Sequence, residues 1–316
     1  MLNNPIRNNV YIFLMLTIGI QKAPLNAATH IVDQSGNGDH FTIESAVEAA
    51  SPADTVFLNA GVYPEHGISI NKPIHFVGID RNSVIWTSQT GNLASIYDSD
   101  QYSFREITFD SQNISVNNHA DIYIYDCLIK DSGIYVSGNY GVDLYVFNSV
   151  ISGSLLGSNN INGSKRAFIE NSIFYNPTGF GSYLLYNVNT SEFNNCIFIG
   201  TNHNPQYHQW GHSITVLFSC LYNSFSNEGY GNITDDPILM DPANGDYRLG
   251  ADSPCIDSGN TIVLYNDSDG SRNDMGVYGG PKSWGGSGPI ITNLTIIPTS
   301  AEVGETISIE ATATTE

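Results

Sequence analysis

The feature that most constrains this chain is an internal repeat of 21–24 residues. Six segments align: FREITFD (104–110), YDCLIKD (125–131), FNSVISG (147–153), ENSIFYN (170–176), NNCIFIG (194–200) and FSCLYNS (218–224). Their shared apolar positions are Ile107, Leu128, Val150, Ile173, Ile197 and Leu221, separated by 21, 22, 23, 24 and 24 residues. A coiled coil cannot drift one residue at a time, and the Leu-x-x-Leu-x-Leu signature of leucine-rich repeats is absent. A stack of short strands tolerates such drift. Each turn returns the chain about 4.8 Å further along an axis, and the corner loops absorb the extra residues. The expected fold class is all-β, a right-handed single-stranded parallel β-helix, or solenoid. Composition agrees, because 30 Gly, 18 Tyr and only 13% charged residues suit short strands and tight turns better than helices.

The alignment defines two polar columns. One reads Arg105, Asp126, Asn148, Asn171, Asn195, Ser219, and its Asn side chains can hydrogen-bond along the axis as a ladder. The next reads Glu106, Cys127, Ser149, Ser172, Cys196, Cys220, so three of the four cysteines read as small packing residues. Only Cys196 and Cys220 sit on adjacent rungs, so a bridge between them is open to the chain but strained. Runs such as IYIY (122–125) and DLYVF (143–147) alternate, putting Ile122 and Ile124 on one face and Tyr123 and Tyr125 on the other. An outward Tyr column can stack on sugar rings, although β-propensity alone also puts Tyr on sheets.

Both ends carry further patterns. Thr42 can cap a short helix with Ile43, Ala46, Val47 and Ala50 on one face, which would close the first rung. The order Thr42-Ile43, Ala46-Val47, Ala49-Ala50, Asp54-Thr55-Val56, Ala60-Gly61-Val62-Tyr63, Glu65 resembles the N-terminal cap of pectin-lyase-like right-handed parallel β-helix proteins. DPILMDPANGDYRLGADSPCIDSGN (236–260) and DSDGSRNDMGVYGGP (267–281) resemble the terminal segment of secreted bacterial β-helix repeat proteins. The resemblance implies the fold and does not imply one activity. Residues 28–283 are expected to form the β-helix. Residues 284–316 read as a linker and the truncated start of an immunoglobulin-like β-sandwich, since about 100 residues complete such a domain.

Candidate chemistry falls in four groups. Asp110 and Asp131 end corresponding repeats, and the resemblance implies clustered Asp residues where pectin is hydrolysed or de-esterified. Lyases of this fold need a Lys or Arg base, for which Lys130, Lys165 and Arg166 are candidates among only 11 basic residues. The loop TNHNPQYHQWGH (201–212) offers His203, Tyr207, His208, Trp210 and His212 as a sugar platform or metal site. Asp267, Asp269 and Asp274 in a Gly-containing turn are a candidate Ca²⁺ site, without the closing Glu of an EF-hand.

The formal net charge of −20 disfavours nucleic acid and anionic membranes. Residues 1–27, with Arg7 before the apolar run Val10–Ile20 and small residues at Ala27 and Ala28, have the layout of a signal peptide. No other stretch is long and apolar enough for a membrane helix. The expected protein is secreted or at the cell surface. It binds or processes an extracellular acidic polysaccharide, as a lyase or glycoside hydrolase if catalytic. The alternative is a non-catalytic adhesin or structural stalk.

Overall fold

A computed structural model describes residues 27–137, 140–152, 155–158, 163–175, 184–200, 206–207, 213–224, 229–284, 290–297 and 308–314. The proposed signal peptide, apart from Ala27, lies outside them. Three parallel sheets of nine, eight and seven strands surround one core, and the chain visits them in turn before stacking on itself. One turn runs Gln101–Arg105 in the first sheet, Thr108–Asp110 in the second and Ile114–Val116 in the third, then begins again at Ala120–Tyr125. The protein is a parallel β-solenoid. Among the described residues no helix is long and apolar enough to cross a membrane.

The start is capped as the motif order anticipates. Helix Ile43–Ala49 buries Ile43, Ala46 and Val47, and Thr42 Oγ1 accepts the Ser45 N–H. Glu65 accepts the Ile43 and Glu44 N–H groups at 2.8 and 3.0 Å, so its carboxylate satisfies donors that the helix cannot. Lys72 donates to the Glu48 carbonyl at 3.0 Å at the other end. Asp54 accepts the Ala28 and Ser51 N–H groups at 2.7 Å each and pairs with His30.

Register corrects the repeat alignment at both ends. Leu128, Val150, Ile173 and Ile197 do form one column, but its outer members are Thr108 and Cys220 rather than Ile107 and Leu221. The second sheet is apolar on both faces, so hydrophobic alternation did not distinguish the two registers. Its inner face is Phe109, Ile129, Ile151, Phe174, Phe198 and Leu221, all in the main core. Its outer column of Leu128, Val150, Ile173, Ile197 and Cys220 belongs to a second core, built with Tyr247, Cys255, Met275, Val277 and Trp284. The segment after the last rung therefore turns back along the solenoid and covers that face.

With the register corrected, one corner column reads Glu106, Asp126, Asn148, Asn171, Asn195, Phe218. All six are left-handed, with φ between 44 and 56°. Asn and Asp tolerate this conformation because their short polar side chains bond locally. The expected Asn ladder is only partly axial, through Asn195 Nδ2 to Asn171 Oδ1 at 3.4 Å. Most of its bonds reach the return segment instead. Asn148 donates to the Val277 and Gly279 carbonyls, and Asn171 to Asn273 Oδ1, Asp274 O and Gly276 O. Trp284 Nε1 donates to the Asn148 carbonyl at 2.5 Å, and Arg81 lies 4.0 Å over the Trp284 ring.

The axial ladder belongs to the neighbouring column, Ile107, Cys127, Ser149, Ser172, Cys196, Ser219. Ser149 Oγ accepts the Cys127 N–H, Ser172 Oγ the Ser149 N–H, and Ser219 Oγ the Cys196 N–H, at 3.0–3.2 Å. Burial pushes the Cys127 and Cys196 thiols up to about 12, consistent with packing residues. Cys220 leaves this column. Beyond the solenoid, Ile290–Ile297 and Ser308–Thr314 pair antiparallel. Two strands make a ribbon, and the expected sandwich is not formed by the described residues.

Candidate functional site on the outer face of the first sheet

Strands of the first sheet alternate inward and outward, and the central rungs share one register. Ile122 and Ile124 stack on Leu144 and Val146 inside, while Asp121, Tyr123 and Tyr125 stack on Asp143, Tyr145 and Phe147 outside. The next rung adds Arg166, Phe168 and Glu170 to the same three columns. The outer face is thus an acidic column beside two aromatic ones.

The aromatic columns are stacked. Ring centroids of Tyr123 and Tyr145 lie 4.6 Å apart at 8°, those of Tyr145 and Phe168 5.2 Å apart, and those of Tyr125 and Phe147 5.2 Å apart. Arg105 sits 4.9 Å over the Tyr125 ring at one end. Partial burial, with Tyr145 next, pushes the Tyr123 hydroxyl up to about 12, so it stays neutral and able to donate. Tyr123 and Tyr125 occupy the outward positions read from the sequence.

The acidic column was missed by sequence reasoning. Asp121 and Asp143 are register partners, so their backbones lie one rung, about 4.8 Å, apart on the same face. Arg166 grips Asp143 with two nitrogens, its Nε at 2.7 Å. The Arg166 side chain is itself about half exposed, at 48%, and can meet a ligand. Asp121 has Gln101 at 3.5 Å instead. Burial, then the charge of Asp143, holds its carboxyl above the ordinary carboxylate range. Two side-by-side carboxylates in unlike environments can take unlike roles, one protonated and one anionic. The signal was available: each Asp directly precedes an alternating run, in DIYIY and DLYVF, 22 residues apart.

The other candidates do not converge on this site. Asp110 faces Lys130 in register, and Asp131 faces Ser111 across a corner, where it is left-handed at φ 47°. The two carboxylates thus do not share a repeat position, a consequence of the one-residue register shift. Lys130 is exposed on the second sheet. Lys165 is fully buried on the inner side of its strand, its Nζ donating to the Gly163 carbonyl at 3.3 Å, and burial lowers its pKa. Of the basic candidates only Arg166 reaches the outer face of the first sheet. His203, His208, Trp210 and His212 lie outside the described residues. Tyr207 falls in the short strand Gln206–Tyr207 of the third sheet.

In the return segment, Asp267 and Asp274 gather with Asp257, each offering an oxygen within 4.8 Å of the others. Asp269 instead accepts from Ser271 and takes no part in the group. Burial pushes Asp267 up to about 6. The same carboxylate accepts the Asp274 and Gly280 N–H groups.

Solved structures with a similar chain trace include three pectin-active proteins. Pectin methylesterase PemA from Erwinia chrysanthemi is 14% identical, over 66% of this chain and 80% of its own, with a TM-score of 0.43. Pectate lyase Pel9A is 14% identical over 81% and 97%, with a TM-score of 0.29. Pectin methylesterase from carrot is 14% identical over 58% and 87%, with a TM-score of 0.28. No protein-family model matches the chain, and no curated protein matches it.

Proposed function

We propose that the outer face of the first sheet binds an extracellular polysaccharide, and that Asp121 and Asp143 hydrolyse an ester carried by it. The observation behind this reading is the carboxylate pair in register beside a stacked aromatic face. Aromatic rings offer sugar rings a flat apolar surface, and the polar groups set orientation. Glycosidases place their two carboxylates on either side of the scissile bond. Here both project from one sheet face, an arrangement better suited to a carbonyl carbon approached from one side. Asp143 would attack that carbon, and Asp121 would give its proton to the departing alcohol. Water would then release the acyl group and return the proton to Asp121.

Charge supports an ester over a free uronate. A chain of net charge −20 repels a polyanion, whereas an esterified acidic sugar is neutral at the ester. The acid left by hydrolysis would be repelled, which aids its departure. Lyase chemistry finds less support, because Lys130 and Lys165 stand away from this face. A Ca²⁺ ion held by Asp257, Asp267 and Asp274 would brace the return segment rather than the outer face. The signal-peptide layout supports export to where such polymers occur.

The deciding experiment incubates the purified protein with methyl- and acetyl-esterified polysaccharides and follows released alcohol or acetate. Release that disappears in Asp143→Asn supports the proposal. New reducing ends would indicate a glycosidase, and new absorbance near 235 nm from an unsaturated uronate would indicate a lyase. Binding with no turnover across the panel would leave the adhesin or stalk.

A further inference from the structure

The four cysteines divide into two kinds. Cys127 and Cys196 stand in the corner column with Ser149 and Ser172 between them, and their thiols donate to carbonyls of their own and the preceding rung. Cys220 and Cys255 are different. Cys220 ends the outer column of the second sheet, stacked on Ile197, and Cys255 lies in the return segment that covers it. Both have no exposed surface, and both belong to the second core. All four cysteines are free thiols in this structure; Cys220 Sγ donates to the Asp235 carbonyl at 3.2 Å, and Ser253, two residues before Cys255, donates to the Pro237 carbonyl at 2.5 Å, so the two cysteines come together beside the same 235–237 stretch. Cys255 is held from both sides of its backbone: its N–H donates to Ser253 Oγ at 3.2 Å, and its carbonyl accepts the Met275 N–H at 3.0 Å.

We propose that Cys220 and Cys255 form a disulfide that fastens the return segment to the last rung of the solenoid. The Cys196–Cys220 bridge is set aside by register, because Cys196 aligns with Ser219 and points away from the second core. The step balances with a small-molecule or protein disulfide as oxidant. One cysteine thiolate attacks that disulfide and expels one thiol, the second cysteine expels the other, and both electrons end on the oxidant's two thiols. In the folded chain the neighbouring Cys220 thiol, with burial, holds the Cys255 thiol far above its ordinary range. The Cys255 thiolate is therefore disfavoured once the segment has docked. The bond forms while the segment is closing, and afterwards the second core shields it from reductant.

The bridge closes a loop of 35 residues, long enough for the constraint on the unfolded chain to be felt. The test refolds the full chain in a mixture of reduced and oxidised glutathione, blocks free thiols under denaturing conditions, and maps peptides by mass. The expected product joins the Cys220 and Cys255 peptides, two hydrogens lighter than their sum, with Cys127 and Cys196 blocked as free thiols. Its thermal midpoint should lie about 10 °C above that of chain refolded with reductant. Cys255→Ala should abolish the dependence on reductant. Four blocked cysteines after oxidative refolding, or a Cys196–Cys220 link, would overturn the proposal, and the mass readout needs no variant to fold.

Discussion

The first and second sheets share rungs, corners and a core, yet their outer faces have opposite fates. The second sheet turns Leu128, Val150, Ile173 and Ile197 outward, and the chain returns with Met275, Val277 and Trp284 to cover them. The first sheet turns out Asp121, Asp143, Tyr123, Tyr145 and Phe168, which remain partly exposed. A purely aliphatic outer column demands a cover, since it would otherwise hold a continuous apolar strip in water. A column of aromatics beside carboxylates and an arginine can stay wet and meet a ligand. The two faces divide the labour: one holds the molecule together, and the other is available for chemistry.

That division can be attacked directly, beginning with the exposed face. Asp143→Asn should lower ester hydrolysis at least ~10³-fold while leaving the thermal midpoint nearly unchanged. Comparable losses of activity and midpoint would mean that the outer face is structural after all. On the covered face the pattern should invert. Trp284→Ala removes the ring under Arg81 and the donor to Asn148 O, and should cost about 3 kcal/mol in denaturant unfolding with little change in turnover per folded molecule. Tyr145→Ala, between two stacked neighbours, should weaken polysaccharide binding about 5-fold by calorimetry.

The smallest expected effect lies where the faces meet. Glu170 continues an outer aromatic column, but Tyr265 of the return segment senses its charge, and burial pushes its carboxyl up to about 7. A carboxyl raised on folding favours the folded state while it is protonated. That contribution is complete below the unfolded value near 4.5 and is lost as pH rises through about 7. Glu170→Gln should therefore flatten the decline between these limits and raise stability at pH 8 by about 1 kcal/mol. An unchanged pH profile in denaturant titrations would remove Glu170 from the boundary.

Much of the architecture was legible in the residues, because a rung must reuse its apolar positions and corners must reuse Asn, Asp and Gly. The capping helix was legible for the same reason, through Thr42 and its buried face. Register was not. A sheet buried on both sides lacks the alternation that would have separated Ile107 from Thr108, so Cys220 was placed in the corner column and Asp110 opposite Asp131. The site was obscured for a related reason. Asp121 and Asp143 become a pair only when strands are stacked in register; the alternating run after each marks its strand but does not say which residue lies beside it. Lys165 misled in the opposite way, since its charge reads as surface while its strand position faces inward.

The return segment also has a consequence for how such chains can vary. A solenoid built from rungs alone can be lengthened or shortened by whole turns, each new turn repeating the contacts of the last. Here Trp284 meets Arg81 near the start while Asn260 bonds Asn195 near the finish, so one stretch of chain spans several rungs at once. It acts as a ruler. Duplicating a turn between those points would push its landmarks out of step with the asparagine corners, and a matching insertion would be needed to restore the fit. The number of turns is thus metered by a segment that contributes none of them.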